Sequence, residues 1–335
     1  MNQELKATEK SAIELIAKLN DLKHEIKKVI VGQDEIIDQL LIAFLAGGHA
    51  LLEGVPGLAK TLMIRTLAEA IDLRFRRIQF TPDLMPSDII GTEILEEDHT
   101  TGKRIFKFNK GPVFANIILA DEINRTSPKT QSALLEAMQE FEVTYAGTTY
   151  ILERPFFILA TQNPIEQSGT FPLPEAQLDR FLLFVKVSYP TAEEERAILE
   201  NTTGRKNLTV SKVIDGSRIL EAQKLVREVH INSDLIELVS RIVRATRPSE
   251  TENKFVKEWV RWGAGPRAGQ AMILTAKARA LLRGNFSVTL ADIHHVAHPV
   301  LRHRILMNFK AEAENVTPDQ VTKHILEVTT INKNL

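Results

Sequence analysis

Apolar residues at Ile13, Ile16, Leu19, Leu22, Ile26 and Val29 recur every three or four positions, the repeat of one helical face, and predict a long amphipathic helix at the start of the chain. After Val31-Gly32-Gln33 the same spacing at Ile36, Ile37, Leu40, Leu41 and Phe44 predicts a second helix, capped by Asp34 and stopped by Gly47-Gly48. The pattern then changes. Short apolar runs bounded by turn residues stand at 49–52, 75–80, 115–120, 156–161 and 181–187, with helical segments between most of them. Strands alternating with helices imply a parallel sheet sandwiched by helices. Residues 92–108 instead alternate around the turn-prone Thr100-Thr101-Gly102 and predict a hairpin inserted beside a helix; 142–153, with Ala146-Gly147 at its centre, predicts a second. Both hairpins read equally as exposed working parts or as decorations of a sheet edge.

Near Tyr189-Pro190 the character changes again. Thr191 with Glu194 forms a capping-box pattern, and nearly every later segment reads as helix, including one opened by Pro266 and ending near Arg283-Gly284-Asn285, one from about Leu290, and a last one after Thr317-Pro318. The expected fold class is α/β, a parallel sheet flanked by helices over residues 1–189, with a second, smaller all-α domain over residues 190–335.

Composition narrows the function classes. Over 335 residues, 42 Lys and Arg against 43 Asp and Glu leave no global field toward nucleic acid or anionic lipid. Without cysteine there are no disulfides or thiolate metal sites, in keeping with a reducing compartment. The charged start MNQELKATEK does not read as a signal peptide and no apolar run reaches the length of a membrane span, so a soluble cytoplasmic protein without membrane insertion is expected. His294 and His298 have the spacing of a metal pair, but no third ligand accompanies them in a recognised pattern, and packed or solvated histidines are the better reading.

The candidate chemistry sits in the α/β half. Gly54-Val55-Pro56-Gly57-Leu58-Ala59-Lys60-Thr61 follows the 49–52 run and precedes a helical segment from Leu62, the strand-loop-helix context of a P-loop. Backbone N–H groups of Gly54 to Leu62 would face the phosphates of ATP at a helix N-terminus, Lys60 would reach the β- and γ-phosphates, and the Thr61 hydroxyl would sit on Mg²⁺. Ala59 stands where a glycine is usual, and its methyl tightens phosphate approach. Further on, Ile117-Ile118-Leu119-Ala120-Asp121-Glu122 is an apolar strand ending in two carboxylates. Asp121 would hold Mg²⁺ directly or through water, and Glu122 would orient and polarise an attacking water.

These residues resemble the AAA+ ATPases and, among them, the MoxR family. The resemblance covers nearly the whole chain and rests on GVPGLAKT with its alanine, LADEINRTSPKTQSALLEAMQE at 119–140, ATQNP at 160–164 and FPLPEAQLDRF at 171–181. It implies an AAA+ α/β core, a P-loop parallel sheet that binds nucleotide, over residues 1–189, with its N-terminal helix and helix-2 insert hairpin, and a helical lid over residues 190–335. In that core Asn163 would sense the γ-phosphate or its attacking water, Arg180 would be a finger reaching a neighbouring subunit's site, and Arg267 would be a sensor on the lid tying lid position to the γ-phosphate. Without the resemblance, Arg180 reads as a surface partner of Asp179; Arg125, just after the acids, admits a second interface role, but an ordinary loop ion pair is the better reading. The resemblance further implies a homo-oligomeric, hexameric ring, chaperone-like work on protein clients and a partner with a von Willebrand factor A domain, the 92–108 hairpin being the insert that touches clients. A nucleic-acid motor is the alternative, but its basic pore hairpin is only partly present, as Lys103, Arg104, Lys107 and Lys110. A scaffold that binds nucleotide without hydrolysing it has no use for the intact Asp121-Glu122 pair.

Overall fold

The computed structural model describes residues 2–55, 57–97, 104–164, 169–203 and 209–331. Pro56, the expected turn at 100–102 and Lys103 lie outside the described residues. Helices α1 (Asn2–Val29) and α2 (Asp34–Leu45) lead into β1 (Ala50–Glu53), α3 (Lys60–Ile71), β2 (Phe75–Gln79) and α4 (Pro86–Ile90). The hairpin β3 (Gly91–Glu97) and β4 (Arg104–Lys110) follows, then β5 (Ile117–Asp121), α5 (Pro128–Glu140), the hairpin β6 (Glu142–Tyr145) and β7 (Thr148–Ile151), β8 (Phe157–Gln162), α6 (Glu175–Leu178) and β9 (Leu183–Lys186).

The central sheet runs β2-β5-β8-β1-β9 with every neighbouring pair parallel. Helices cover both faces, so β5 is buried throughout and reads as an unbroken apolar run rather than an alternating one. The remaining helices are α7 (Ala192–Thr203), α8 (Gly216–Glu228), α9 (Ser233–Ala245), α10 (Lys254–Trp259), α11 (Pro266–Leu282), α12 (Leu290–Leu301), α13 (Phe309–Ala313) and α14 (Pro318–Ile331), with short strands β10 (Val260–Trp262) and β11 (Leu306–Met307) pairing among them. Thr191 and Glu194 make both capping-box bonds, Glu194 N–H to Thr191 Oγ1 at 3.3 Å and Thr191 N–H to Glu194 Oε2 at 2.8 Å. Among the described residues no helix is long and apolar enough to cross a membrane.

Two details of the N-terminal helices differ from expectation. Ile13 is exposed, and the buried face of α1 is Leu15, Leu19, Leu22 and Ile26. Sequence spacing shows that a face exists, while the seam is chosen by the helices it meets, α3, α8 and α11 among them. Asp34 is not the cap of α2: Gln33 occupies that position in a left-handed conformation, and Asp34, one residue inside the helix, pairs with Lys27 at 2.7 Å. An acid in the first helical turn still complements the dipole. Helix α2 is buried nearly all round, because it is wedged between β9 and helices α8 and α11. The larger hydrophobic cluster therefore joins α1, α2 and the sheet to the helices beyond 190, while a second cluster lies wholly within 51–184.

Both predicted hairpins form, and they pack on each other. Phe108 of β4 stacks on Tyr150 of β7 with ring centroids 4.4 Å apart and meets Tyr145 of β6 at 5.0 Å. The base of the first hairpin is pinched at Gly91 and Gly111. A Cβ on Gly91 would stand 2.2 Å from the Asn109 oxygen and one on Gly111 2.4 Å from the Ile89 oxygen, so only glycine fits there. Farther out, Leu95 and Phe106, a directly paired couple, are exposed.

Candidate nucleotide site

The carboxyl ends of β1, β5 and β8 lie side by side, which is where open parallel sheets bind ligands. After β1 the chain turns through Gly57 (φ 86°) and Ala59 (φ 55°), both left-handed, and α3 starts directly at Lys60 with no side-chain cap on its first N–H groups. Those unpaired donors and the helix dipole make an anion seat. The alanine at 59 accepts a left-handed backbone at a cost of about 1 kcal/mol that glycine would not incur, and nothing stands within 4 Å of the space a Gly57 Cβ would enter. Lys60 Nζ donates to the Gly54 carbonyl at 2.7 Å. Burial holds its ammonium below the ordinary lysine range, opposed by the nearby charges of Asp121 and Glu122. Leu58 packs inward against the larger core cluster, which anchors the loop.

Opposite the loop, Asp121 Oδ1 accepts from the Thr161 hydroxyl at 2.6 Å, and Oδ2 accepts from the Arg77 guanidinium at 2.6 and 3.0 Å. Glu122 is itself left-handed (φ 59°), and its N–H donates to Thr161 Oγ1 at 2.9 Å, so one hydroxyl orients both acids. Glu122 Oε2 accepts from Gln79 Nε2 and from Arg125, each at 3.0 Å. Arg125 thus makes the ion pair expected of it. A cavity of about 460 Å³ lies between Gly57 and Ala59 to Leu62 on one side and Arg77, Gln79, Asp121 and Glu122 on the other. The ammonium and the uncapped N–H groups suit a polyphosphate. The Thr61 hydroxyl and Asp121 carboxylate are the hard oxygen donors Mg²⁺ prefers.

Asn163 follows β8 and is buried one strand from the loop, beside the bond from Gly54 N–H to Gln162 O at 3.3 Å. Arg180 and Arg267 do not line this cavity. Arg180 sits on the turn after α6, and Arg267, at the start of α11, approaches Asp179 at 3.7 Å. Asp179 in turn pairs with Arg304 at 2.7 Å, not with Arg180. Sequence reasoning missed Arg77 and Gln79. Their signal was two polar residues at alternate positions of β2, a strand otherwise expected to be apolar, but only the register Arg77↔Leu119 and Gln79↔Asp121 brings them to the acids. His298 lies 3.4 Å from Asp319 of α14, and His295 lies 3.6 Å from Glu35 of α2.

Residues 49–183 match the model of the ATPase family associated with various cellular activities (AAA), and 252–325 that of the AAA lid domain. Chaperone MoxR1 of Mycobacterium tuberculosis is 44% identical over 90% of this chain and 79% of its own length. Protein MoxR of Paracoccus denitrificans is 30% identical over 87% of this chain and 89% of its own. The crystal structure of a candidate ATPase from Cytophaga hutchinsonii superposes with a TM-score of 0.90 at 44% identity, covering 97% of this chain and 98% of that one.

Proposed function

The chain belongs to the MoxR family of AAA+ ATPases, and from that premise we propose that it hydrolyses ATP with Mg²⁺ between the Lys60 loop and the Asp121-Glu122 pair. The cavity bounded by an ammonium, an uncapped helix start and two carboxylates carries the reading. In it the loop from Gly54 to Leu62 cradles the phosphates, and Lys60 exchanges the Gly54 carbonyl for phosphate oxygens. Thr61 and Asp121 hold Mg²⁺, which when bound neutralises charge developing on the β- and γ-phosphates. Arg77 must yield one Asp121 oxygen to admit it. Glu122, released from Gln79 and Arg125, orients the attacking water, with Asn163 hydrogen-bonding the γ-phosphate or that water.

Arg180 makes no side-chain hydrogen bond or ion pair among the described residues, which supports its reading as a finger that acts in the site of an adjacent copy. Arg267, on the lid and 3.7 Å from Asp179, reports lid position to nucleotide. We further propose a hexameric ring in the cytoplasm that remodels protein complexes together with a von Willebrand factor A domain partner, the paired hairpins touching the client. Calorimetric titration with ATP and Mg²⁺, paired with phosphate release, tests the first step. Saturable binding with turnover is expected, and absence of binding would overturn it.

A further inference from the structure

We infer that Arg304, just beyond the end of α12, is a positioning residue for Arg180. The inference rests on the reading of Arg180 as a group that serves the nucleotide site of an adjacent copy. The side chain of Arg304 is 4% exposed. A buried guanidinium costs several kcal/mol unless its N–H groups are paired, and here every nitrogen has partners. Its Nε donates to Asp179 Oδ1 at 2.7 Å, one terminal nitrogen donates to the carbonyls of Val300 at 2.6 Å and Leu182 at 3.3 Å, and the other to those of Phe181 at 2.8 Å and Asp179 at 3.3 Å. Four of these five acceptors belong to residues 179–182, the stretch that carries Arg180.

The neighbours of Arg304 reinforce the same grip. His303 Nε2 contacts the Phe181 carbonyl at 3.0 Å, and Arg302 donates to the Phe184 carbonyl at 3.1 Å while Asp319 of α14 holds it at 2.8 and 2.9 Å. The other end of the turn is tied to the sheet through Leu182 N–H to the His49 carbonyl at 2.8 Å. Backbone on both sides of Arg180 is therefore fixed, and its side chain takes no part in the fixing. A planar donor fork with all its bonds satisfied admits one geometry, so Arg304 sets the direction in which Arg180 leaves the surface. Because Arg304 and Arg267 come from the lid, a shift of the lid would be felt by the finger presented to the next subunit.

A residue that only fastened the lid would lower stability without acting through Arg180, and two measurements on the full chain separate the cases. Arg304→Lys should lower kcat roughly 10- to 100-fold, the scale of a misplaced catalytic group, with KM for ATP unchanged. In an Arg180→Ala background the same substitution should change kcat less than about twofold, since contributions that act through one group do not add. Mixed with Lys60→Ala chains, Arg304→Lys chains should regain turnover, because their intact nucleotide sites are then served by a well-held Arg180. Asp179→Asn, which keeps the volume and weakens the pairing, should follow the same pattern with a smaller loss and serves if Arg304→Lys does not fold. Additive losses in the Arg180→Ala background overturn the proposal. So does recovery of turnover in Arg180→Ala plus Lys60→Ala mixtures without recovery in the Arg304→Lys mixtures, an outcome that leaves the shared site standing. If neither mixture recovers although mixed assemblies form, the shared site fails and the proposal with it.

Discussion

His49 gives a pH dependence whose size follows from its surroundings. The ring lies directly before β1, 3% exposed, among Phe141, Phe156 and Phe157. Ile158 N–H donates to Nδ1 at 3.0 Å, so Nε2 carries the proton and donates to the Met138 carbonyl, also at 3.0 Å. Both nitrogens are satisfied only in this neutral form. Burial pushes the pKa down to about 4 from an ordinary 6.5, with the bond to Met138 opposing. The unfolded chain thus takes up the proton first as pH falls, and stability is complete above 6.5 and lost between 6.5 and 4. A tenfold change in proton affinity between the folded and unfolded chain corresponds to about 1.4 kcal/mol, and linkage between pH 7 and pH 5 amounts to roughly 2 kcal/mol from this one ring. Urea unfolding followed by circular dichroism at pH 7 and pH 5 reads it as a double difference, wild type against His49→Gln, in which the remaining titrating groups cancel. The variant should be weaker at pH 7, having lost one of two buried hydrogen bonds, yet lose about 2 kcal/mol less on acidification. Parallel losses in the two proteins would show that the ring is not held neutral by its site.

Lys60→Ala should abolish ATP binding by calorimetry, whereas Glu122→Gln should bind ATP and release no phosphate; wild-type turnover in the glutamine variant would remove Glu122 from its role. Specific ATPase activity should rise with protein concentration as subunits associate, and a flat response over a wide range would contradict a finger working between copies. Arg77→Gln should lower the Mg²⁺ concentration needed for half-maximal ATP binding about two- to fivefold, because a half-exposed ion pair worth up to about 1 kcal/mol no longer competes for Asp121; an unchanged or higher Mg²⁺ requirement would show that no such competition exists. Phe44→Ala should cost about 3 to 5 kcal/mol in thermal or chemical unfolding, since its buried ring meets Phe157 edge-on at 5.3 Å and ties α2 to the sheet. A loss under about 1 kcal/mol would mean that the site collapses around the deletion.

What the chain states locally is legible without coordinates. The alternation of short apolar runs with helical stretches announces the parallel sheet, and a glycine-bearing turn between strand and helix announces the anion seat, because both depend on residues a few positions apart. The acids at 121 and 122 are equally plain, since they close an unbroken apolar strand at its carboxyl end, where open parallel sheets bind ligands. Contacts across long separations depend on strand order and helix docking, and no local rule encodes them. The register of β2 against β5 decides that Arg77 and Gln79 restrain the acids, 44 and 43 residues away. The docking of α12 decides that Asp179 pairs with Arg304, 125 residues distant, instead of with the arginine beside it. Helix periodicity likewise shows that α1 has an apolar face but leaves its direction to the surfaces it meets. The sequence determines which polar groups are available to line the cavity; tertiary structure alone decides what holds each of them, because that depends on which distant surfaces are buried against one another.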